Sequence, residues 1–180
     1  MARRKLDVLS ERIIKRIAGL EGVHVWRVLK KGKYHVDEIA EMSKLPDYTT
    51  YRILHILDDA GFIRYEVREK KESAKDDFFV EPAPLNGLKV TVERHRSTIE
   101  LLRDWEEKLS RGDYVSCGTP GHPVLPFDTA FHVDFTCPQC GKIMNPYSFD
   151  VELEAIRKEI EWREKEVNEI NRVLKRAARS

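Results

Sequence analysis

Four side chains in one short stretch have the types and spacing to hold a metal ion. Cys137 and Cys140 are separated by two residues, and Gly141 follows directly. Two thiolates at this spacing can bind one tetrahedral Zn²⁺, and glycine permits the left-handed backbone that turns amides toward the sulfurs. A structural zinc site takes four ligands. Cys117 is the only further cysteine and His122 is the nearest candidate for the fourth ligand, so the pattern predicts one structural zinc ion in a small ribbon.

Two alternatives to this ligand set stay open. His132 competes for the fourth position, although its neighbours predict that it points outward from a strand. The second alternative is a ribbon without metal, because Pro120 and Gly121 stand where a tighter knuckle would carry a second cysteine. A redox role for the Cys137–Cys140 pair is disfavoured, since no strand-to-helix turn of a βαβ unit surrounds it.

Composition limits the remaining classes. The chain has 180 residues, of which 41% are apolar and 35% are charged, as expected for one or two small domains. Its formal net charge of +1 gives no overall attraction to nucleic acid, so such binding needs a local patch. Three cysteines with two clustered fit a metal site in a reducing compartment. No targeting segment or membrane-length apolar run is seen, and we expect a soluble, cytoplasmic protein with no membrane partner.

Hydrophobic periodicity predicts an α+β fold that is mainly α. The first half reads as helix, short strand, helix, helix and hairpin, the order of a winged helix, with its first helix divided at Gly22 and its second capped by Asp37. The predicted domains are a winged helix (1–86), a linker helix (87–111), the zinc ribbon (112–147) and a long, coiled-coil-like C-terminal helix (148–180).

The C-terminal helix carries a heptad of apolar residues. They are Leu153, Ile156, Ile160, Val167, Ile170 and Leu174, with Arg163 at one core position. Two interpretations stay open: the helix packs back on its own domain, or it pairs with a partner helix.

The third helix of the predicted winged helix is poorly suited to read DNA bases. It offers Arg52 and His55 against Asp47, Asp58 and Asp59, and base reading needs several basic or amide side chains. The hairpin is the better candidate for contact with nucleic acid or protein. Aromatic side chains can stack on unpaired bases, and neighbouring cations can contact the phosphates. Its candidate residues are Arg64, Arg68, Lys70, Lys71, Phe78 and Phe79. The alternative is a solvated hairpin whose acidic residues nearly cancel the cations and whose Phe pair belongs to the core.

The ribbon and its flanks resemble a known family. The residues that carry the resemblance are Phe127-Asp128-Thr129-Ala130, the run from Asp134 to Gly141, and Asn145-Pro146-Tyr147 before the terminal helix. Together with the domain order, they resemble archaeal transcription factor E, the counterpart of the alpha subunit of TFIIE. The chain departs from the family at Pro120, where a second cysteine is usual.

The resemblance implies a general transcription initiation factor and no enzyme. The partners that it implies are RNA polymerase (clamp and stalk), TATA-binding protein, transcription factor B and promoter DNA, mainly the melted non-template strand. In this family the factor stabilises the open complex. Whether a second subunit pairs with the chain stays undecided from the sequence. The residues alone leave two other classes, a dimeric winged-helix repressor and a protein-only scaffold. The sequence has no Gly-rich phosphate loop and no nucleophile elbow.

Overall fold

A computed structural model of the protein describes residues 2–68 and 77–179, with the backbone alone at positions 2, 3, 68 and 77. The prediction of an α+β chain that is mainly helical is confirmed. None of the helices in the described residues has the length and apolar content to cross a membrane. In chain order the elements are α1 (Ala2–Leu29), β1 (Tyr34–His35), α2 (Val36–Ser43), α3 (Asp47–Asp59), β2 (Ile63–Arg68), β3 (Asp77–Pro82), α4 (Pro84–Arg111), β4 (Tyr114–Ser116), β5 (Leu125–Pro126), α5 (Phe127–Phe131), β6 (Asn145–Tyr147) and α6 (Asp150–Ala177).

The chain forms two compact units. The first comprises residues 1–96 and 166–180, and the second comprises residues 97–165. Helices α4 and α6 each contribute residues to both units, because each runs through a boundary between them.

The core of the first unit lies between three helices and a small sheet. Helices α1, α2 and α3 pack on one another, and the antiparallel sheet has the order β1-β3-β2. The rings of Trp26 and Phe62 meet edge to face at the centre of this core, 5.8 Å apart. Ile170 and Val173 of α6 belong to the same core. This part of α6 therefore packs back on its own chain, as one of the two interpretations of the heptad predicts.

Two predicted details of the first unit are wrong. The backbone of α1 breaks at Gly19 (φ 70°, ψ −165°) and not at Gly22. Gly22 is buried in the helix, where an added Cβ would lie 2.3 Å from the Cβ of Ala18. His35, and not Asp37, caps α2: its ring accepts from the backbone N–H of Asp37, and its own N–H donates to Glu38.

The second unit holds the candidate metal ligands on a small sheet with the order β5-β4-β6. Its core contains Val115, Ala130, Cys137 and Met144. The predicted outward strand around His132 is wrong, because α5 ends at Phe131 and a turn follows.

Consecutive left-handed residues form that turn. Asp134 and Phe135 have φ values of 50° and 54°, which L-residues adopt only when their surroundings fix them. Phe135 is fixed on both sides, since its N–H donates to Ala130 and its carbonyl accepts from the N–H of Met144. The turn thus leads the chain from α5 into the position of Cys137.

Candidate metal centre and contact surfaces

The structure brings the four predicted ligands together. The donor atoms of Cys117, His122, Cys137 and Cys140 all lie within 4.8 Å of one another. Cys137 is buried, Cys117 and His122 are half-buried, and Cys140 is exposed. The ligands come from the end of β4, from the loop before β5, and from the turn that follows α5. His132 is not in the group, so the structure selects His122 over the competing histidine.

The distances within this group fit a tetrahedral zinc ion. Zn–S bonds of about 2.3 Å and a Zn–N bond of about 2.0–2.1 Å require S···S separations of about 3.8 Å and S···N separations of about 3.6 Å. The sulfurs of Cys140 and Cys117 are 3.8 Å apart. Nδ1 of His122 lies 3.4 Å from the Cys117 sulfur and 3.5 Å from the Cys137 sulfur. Three cysteines and one histidine are also a common donor set for structural zinc.

A glycine with left-handed backbone follows one cysteine in each half of the group. Gly118 follows Cys117 and Gly141 follows Cys140, and both glycines have a φ of 71°. Such a φ suits glycine, which has no Cβ to clash.

The sulfurs of this group shift each other's ionisation. The backbone N–H of Thr119 donates to the Cys117 sulfur and is the largest cause that lowers the pKa of this thiol to about 6. The N–H of Lys142 also favours the thiolate of Cys140, but desolvation and the two neighbouring sulfurs outweigh it and raise the pKa of Cys140. Crowded thiolates repel one another, and a bound cation relieves that repulsion.

Cross-strand pairing separates the two phenylalanines of the hairpin. In the pairing of β2 with β3, Phe78 lies opposite Val67 and Phe79 lies opposite Glu66. Successive residues of a strand face opposite sides. Phe78 is therefore an exposed ring beside Val67, with 46% of its surface accessible, and Phe79 lies on the other side.

Phe79 contacts other side chains. Its ring meets that of His35 edge to face at 5.6 Å, and Nζ of Lys33 lies 5.7 Å from its centroid. Arg64 is exposed on the same side of β2. The side chain of Arg68, together with Lys70 and Lys71, lies outside the described residues.

Known proteins similar to this chain share one name. The "Transcription factor E" of Thermococcus kodakarensis is 32% identical over 162 residues, which cover 89% of this chain and 87% of that protein. The chain belongs to the transcription factor E family. The relative from Pyrococcus abyssi, with the same name, is 31% identical over 88% of this chain and 83% of its own length. No family model matches the sequence. A solved structure described as a transcriptional regulator aligns over 99% of both chains with 14% identity and a TM-score of 0.42, too low to bear on the fold.

Membership in the transcription factor E family confirms the resemblance and assigns the chain to transcription. The relatives are transcription factors, a class that is not generally enzymatic. The Cys₃His group is compatible with zinc in this setting.

The face of α3 that points to solvent combines tyrosines with acidic residues. Tyr48 is 80% exposed and Tyr51 is 44% exposed. Asp58 and Asp59 are exposed at the C-terminal end of the helix. Arg52, the only arginine of α3, lies 3.7 Å from the carboxylate of Glu21.

A buried ion cluster in the first unit was missed from the sequence. Glu166 of α6 accepts two hydrogen bonds from Arg16 of α1, at 2.7 and 3.0 Å, and lies 2.6 Å from Nε2 of His95 in α4. The side chains of Glu166 and His95 are only 5% and 7% exposed. Burial alone would raise the pKa of Glu166, but the hydrogen bonds to His95 and Arg16 outweigh it and lower this pKa to about 2.

No local pattern could have revealed this cluster, because its members are 71 and 150 residues apart in the chain. Glu166 directly precedes Val167, one of the apolar heptad residues of α6. A charged residue at such a position is predicted to face solvent. The cluster ties α6 to α1 and α4 within one core, which suits a structural role for this part of the terminal helix.

Proposed function

We propose that this chain is a general transcription initiation factor. It joins RNA polymerase, TATA-binding protein and transcription factor B on a promoter, and it stabilises the open complex. The observation that carries the proposal is membership in the transcription factor E family over 89% of the chain. The factor acts by binding and not by catalysis, since four protein ligands would fill a tetrahedral zinc site and leave no position for a substrate.

The first unit is proposed to act as a winged helix that docks on the polymerase clamp through α3. The element order α1, β1, α2, α3, β2, β3 supports this, with β2 and β3 as the wing. The exposed rings of Tyr48 and Tyr51 offer apolar contact area to a protein surface. Asp58 and Asp59 would repel DNA phosphates, so a protein partner suits this face better than the major groove.

The wing is proposed to lie along the melted non-template strand. Arg64 is an exposed cation, and the ring of Phe78 is open to stack on an unpaired base. Arg68, Lys70 and Lys71 add positive charge to the sequence at the end of β2 and directly after it. Phe79 supports the wing through its contact with His35 and would reach the strand only by leaving that contact.

Residues 112–147 are proposed to form a zinc ribbon that holds one structural ion and reaches the stalk side of the polymerase. Cys117, His122, Cys137 and Cys140 would bind the ion. Three inter-ligand distances support this, because they are close to the edges of a zinc tetrahedron, and all four donors lie within 4.8 Å of one another. The metal would supply the stability that so small a core lacks.

The mechanism follows from differential affinity. A factor that binds the melted promoter complex more tightly than the closed one shifts the equilibrium by that difference, and each tenfold preference corresponds to about 1.4 kcal/mol. Contacts between the wing and the exposed single strand exist only in the melted state. They would therefore supply part of the preference.

Charge reversal in the wing tests this proposal. With Arg64→Glu and Lys70→Glu together, we expect permanganate reactivity of thymines in the bubble of a weak promoter to fall toward its level without the factor. The reason is that two attractive contacts to phosphate become repulsive. The measurement is permanganate footprinting with polymerase, TATA-binding protein, transcription factor B and equal amounts of each variant.

A matched control reverses two charges elsewhere in the first unit. Lys44→Glu with Lys89→Glu changes two exposed cations outside the wing and should leave the footprint as in the wild type. Wild-type reactivity in the wing variant would remove the wing from the mechanism.

A further inference from the structure

A cleft in the first unit combines an apolar floor with polar side chains that are mostly cations. It has a volume of about 570 Å³ and runs between the N-terminal turns of α1 and the C-terminal turns of α6. Its polar lining consists of Arg4, Lys5, Arg12, Arg172, Arg176 and one carboxylate, Glu169. Glu169 and Arg12 pair at 2.6 Å and cancel each other's charge, so the remaining polar lining consists of Arg4, Lys5, Arg172 and Arg176. The cleft therefore has a strong positive potential, although the whole chain carries a formal charge of only +1.

The positive surface continues past Arg172 into a second, shallower cleft of about 420 Å³. Here Arg172 is joined by Arg96 and Lys175, with the side-chain amides of Asn168 and Asn171 between them. Within the described part of the chain, no carboxylate lines this second cleft. We call the two clefts together the α6 basic face.

Helix stability does not account for these cations. Basic residues in the last turn of a helix are favoured by its dipole, which fits Lys175 and Arg176. Arg4 and Lys5 stand at the opposite, positive end of α1, and that helix has no acidic residue in its first turn. They oppose the dipole and repel the cations of α6 across the cleft. Among the described residues, no carboxylate is paired with Lys5, Arg172 or Lys175.

The chemistry of the lining points to a phosphate backbone. Arginine and lysine with side-chain amides are the groups that contact phosphates and sugars in DNA complexes. Among the residues that the structure describes, no aromatic ring lines the cleft, and its apolar side chains are Val8, Leu9 and Val173. Stacking on unpaired bases is therefore not available here, in contrast to the wing.

We infer that the α6 basic face binds the phosphate backbone of duplex DNA without reading its sequence. This site is separate from the wing and from α3, since it is built on the N-terminus of α1 and the C-terminal part of α6. Its partner class follows from the assignment of the family to transcription and does not depend on the proposed open-complex role. A duplex held here would anchor the factor by charge alone, so the affinity should depend strongly on salt.

The test is the salt dependence of binding between the full-length chain and a random-sequence 20-base-pair duplex, followed by fluorescence anisotropy. Two variants remove charge from the two sides of the cleft: Arg172→Gln with Lys175→Gln on α6, and Arg4→Gln with Lys5→Gln on α1. All four side chains are exposed, and circular dichroism checks that each variant is folded. Each double variant should reduce the slope of log K against log[salt] by about 2, so that binding near 0.1 M salt weakens roughly a hundred-fold if the affinities converge at about 1 M salt.

Three comparisons make the result decisive. Lys44→Gln with Lys89→Gln removes the same charge from other exposed positions of the first unit and should keep the wild-type slope. The wing variant Arg64→Glu with Lys70→Glu should also keep most of the duplex affinity. Polyglutamate should not bind the positive cleft as tightly as the duplex. The inference is overturned by an unchanged slope in both cleft variants, by an equal loss in the lysine control, or by tighter binding of polyglutamate. Loss of duplex binding in the wing variant alone would also overturn it, and would leave the proposed function intact.

Discussion

Replacement of Cys137 by serine is expected to abolish zinc binding and to unfold the ribbon. Cys137 is the most buried of the four donors, and its sulfur also belongs to the small core of the second unit. The binding energy of a structural zinc ion is on the order of 10 kcal/mol, far more than the few apolar residues around it can replace. Zinc in purified protein should fall from about one ion per chain to nearly zero, and amide protection in residues 112–147 should be lost.

The two histidines supply the matched pair for this experiment. His122→Ala removes a donor that lies 3.4 Å from one sulfur and 3.5 Å from another, so zinc should be lost or bound much more weakly. His132→Ala removes an exposed ring outside the group and should leave zinc content unchanged. Full zinc occupancy in both Cys137→Ser and His122→Ala would rule out the site.

Replacement of Glu166 by alanine is expected to destabilise the first unit by about 3–5 kcal/mol. The change removes the buried carboxylate that the buried ring of His95 contacts, and Arg16, whose side chain is 38% exposed, loses the same partner. Removal of one member of a buried polar pair is among the most costly single changes in a core. Urea unfolding measures the loss. Trp105→Phe with Trp162→Phe leaves Trp26 as the sole tryptophan, so its fluorescence reports the first unit alone.

The neighbouring Glu169 is the control for exposure. It makes an ion pair with Arg12 at 2.6 Å, but both side chains are about half exposed, so Glu169→Ala should cost no more than about 1 kcal/mol. Equal effects of the two substitutions would contradict a buried cluster.

The contribution of Glu166 should also depend on pH. Its carboxyl pKa is about 2 in the folded chain and about 4.3 in an unfolded one. Because the pKa is lower in the folded chain, the ionised carboxylate stabilises the fold at pH values above the pKa of the unfolded chain. This contribution is lost as the pH falls toward 2. The stability difference between the wild type and Glu166→Ala should therefore shrink as the pH falls from about 4 to 2.

Local chemistry explains which features the sequence revealed. The metal group was predictable because the spacing of Cys137 and Cys140 is itself a ligand geometry, and few other donors were available to complete it. Helices with a strong apolar period, such as α3 and α6, were predictable for a similar reason: their buried faces recur every three or four residues.

The features that were missed depend on contacts distant in sequence or on close packing. The break in α1 falls at Gly19, whose φ of 70° favours glycine, whereas Gly22 lies packed against Ala18. Hydrophobic periodicity could not tell the two glycines apart. The apolar alternation around His132 looked like a strand, whereas Phe135 is fixed by hydrogen bonds to Ala130 and Met144. The partners of Glu166 come from two other helices, so its burial is a property of the tertiary fold.

The most direct test of the account is the behaviour of the full chain in a mixture with purified archaeal RNA polymerase. On a glycerol gradient, we expect the chain to migrate with the polymerase, both alone and in a promoter complex with TATA-binding protein and transcription factor B. Without polymerase, it should show no preference for one duplex sequence. A chain that stays out of the polymerase fractions and binds one operator sequence tightly as a homodimer would contradict the account.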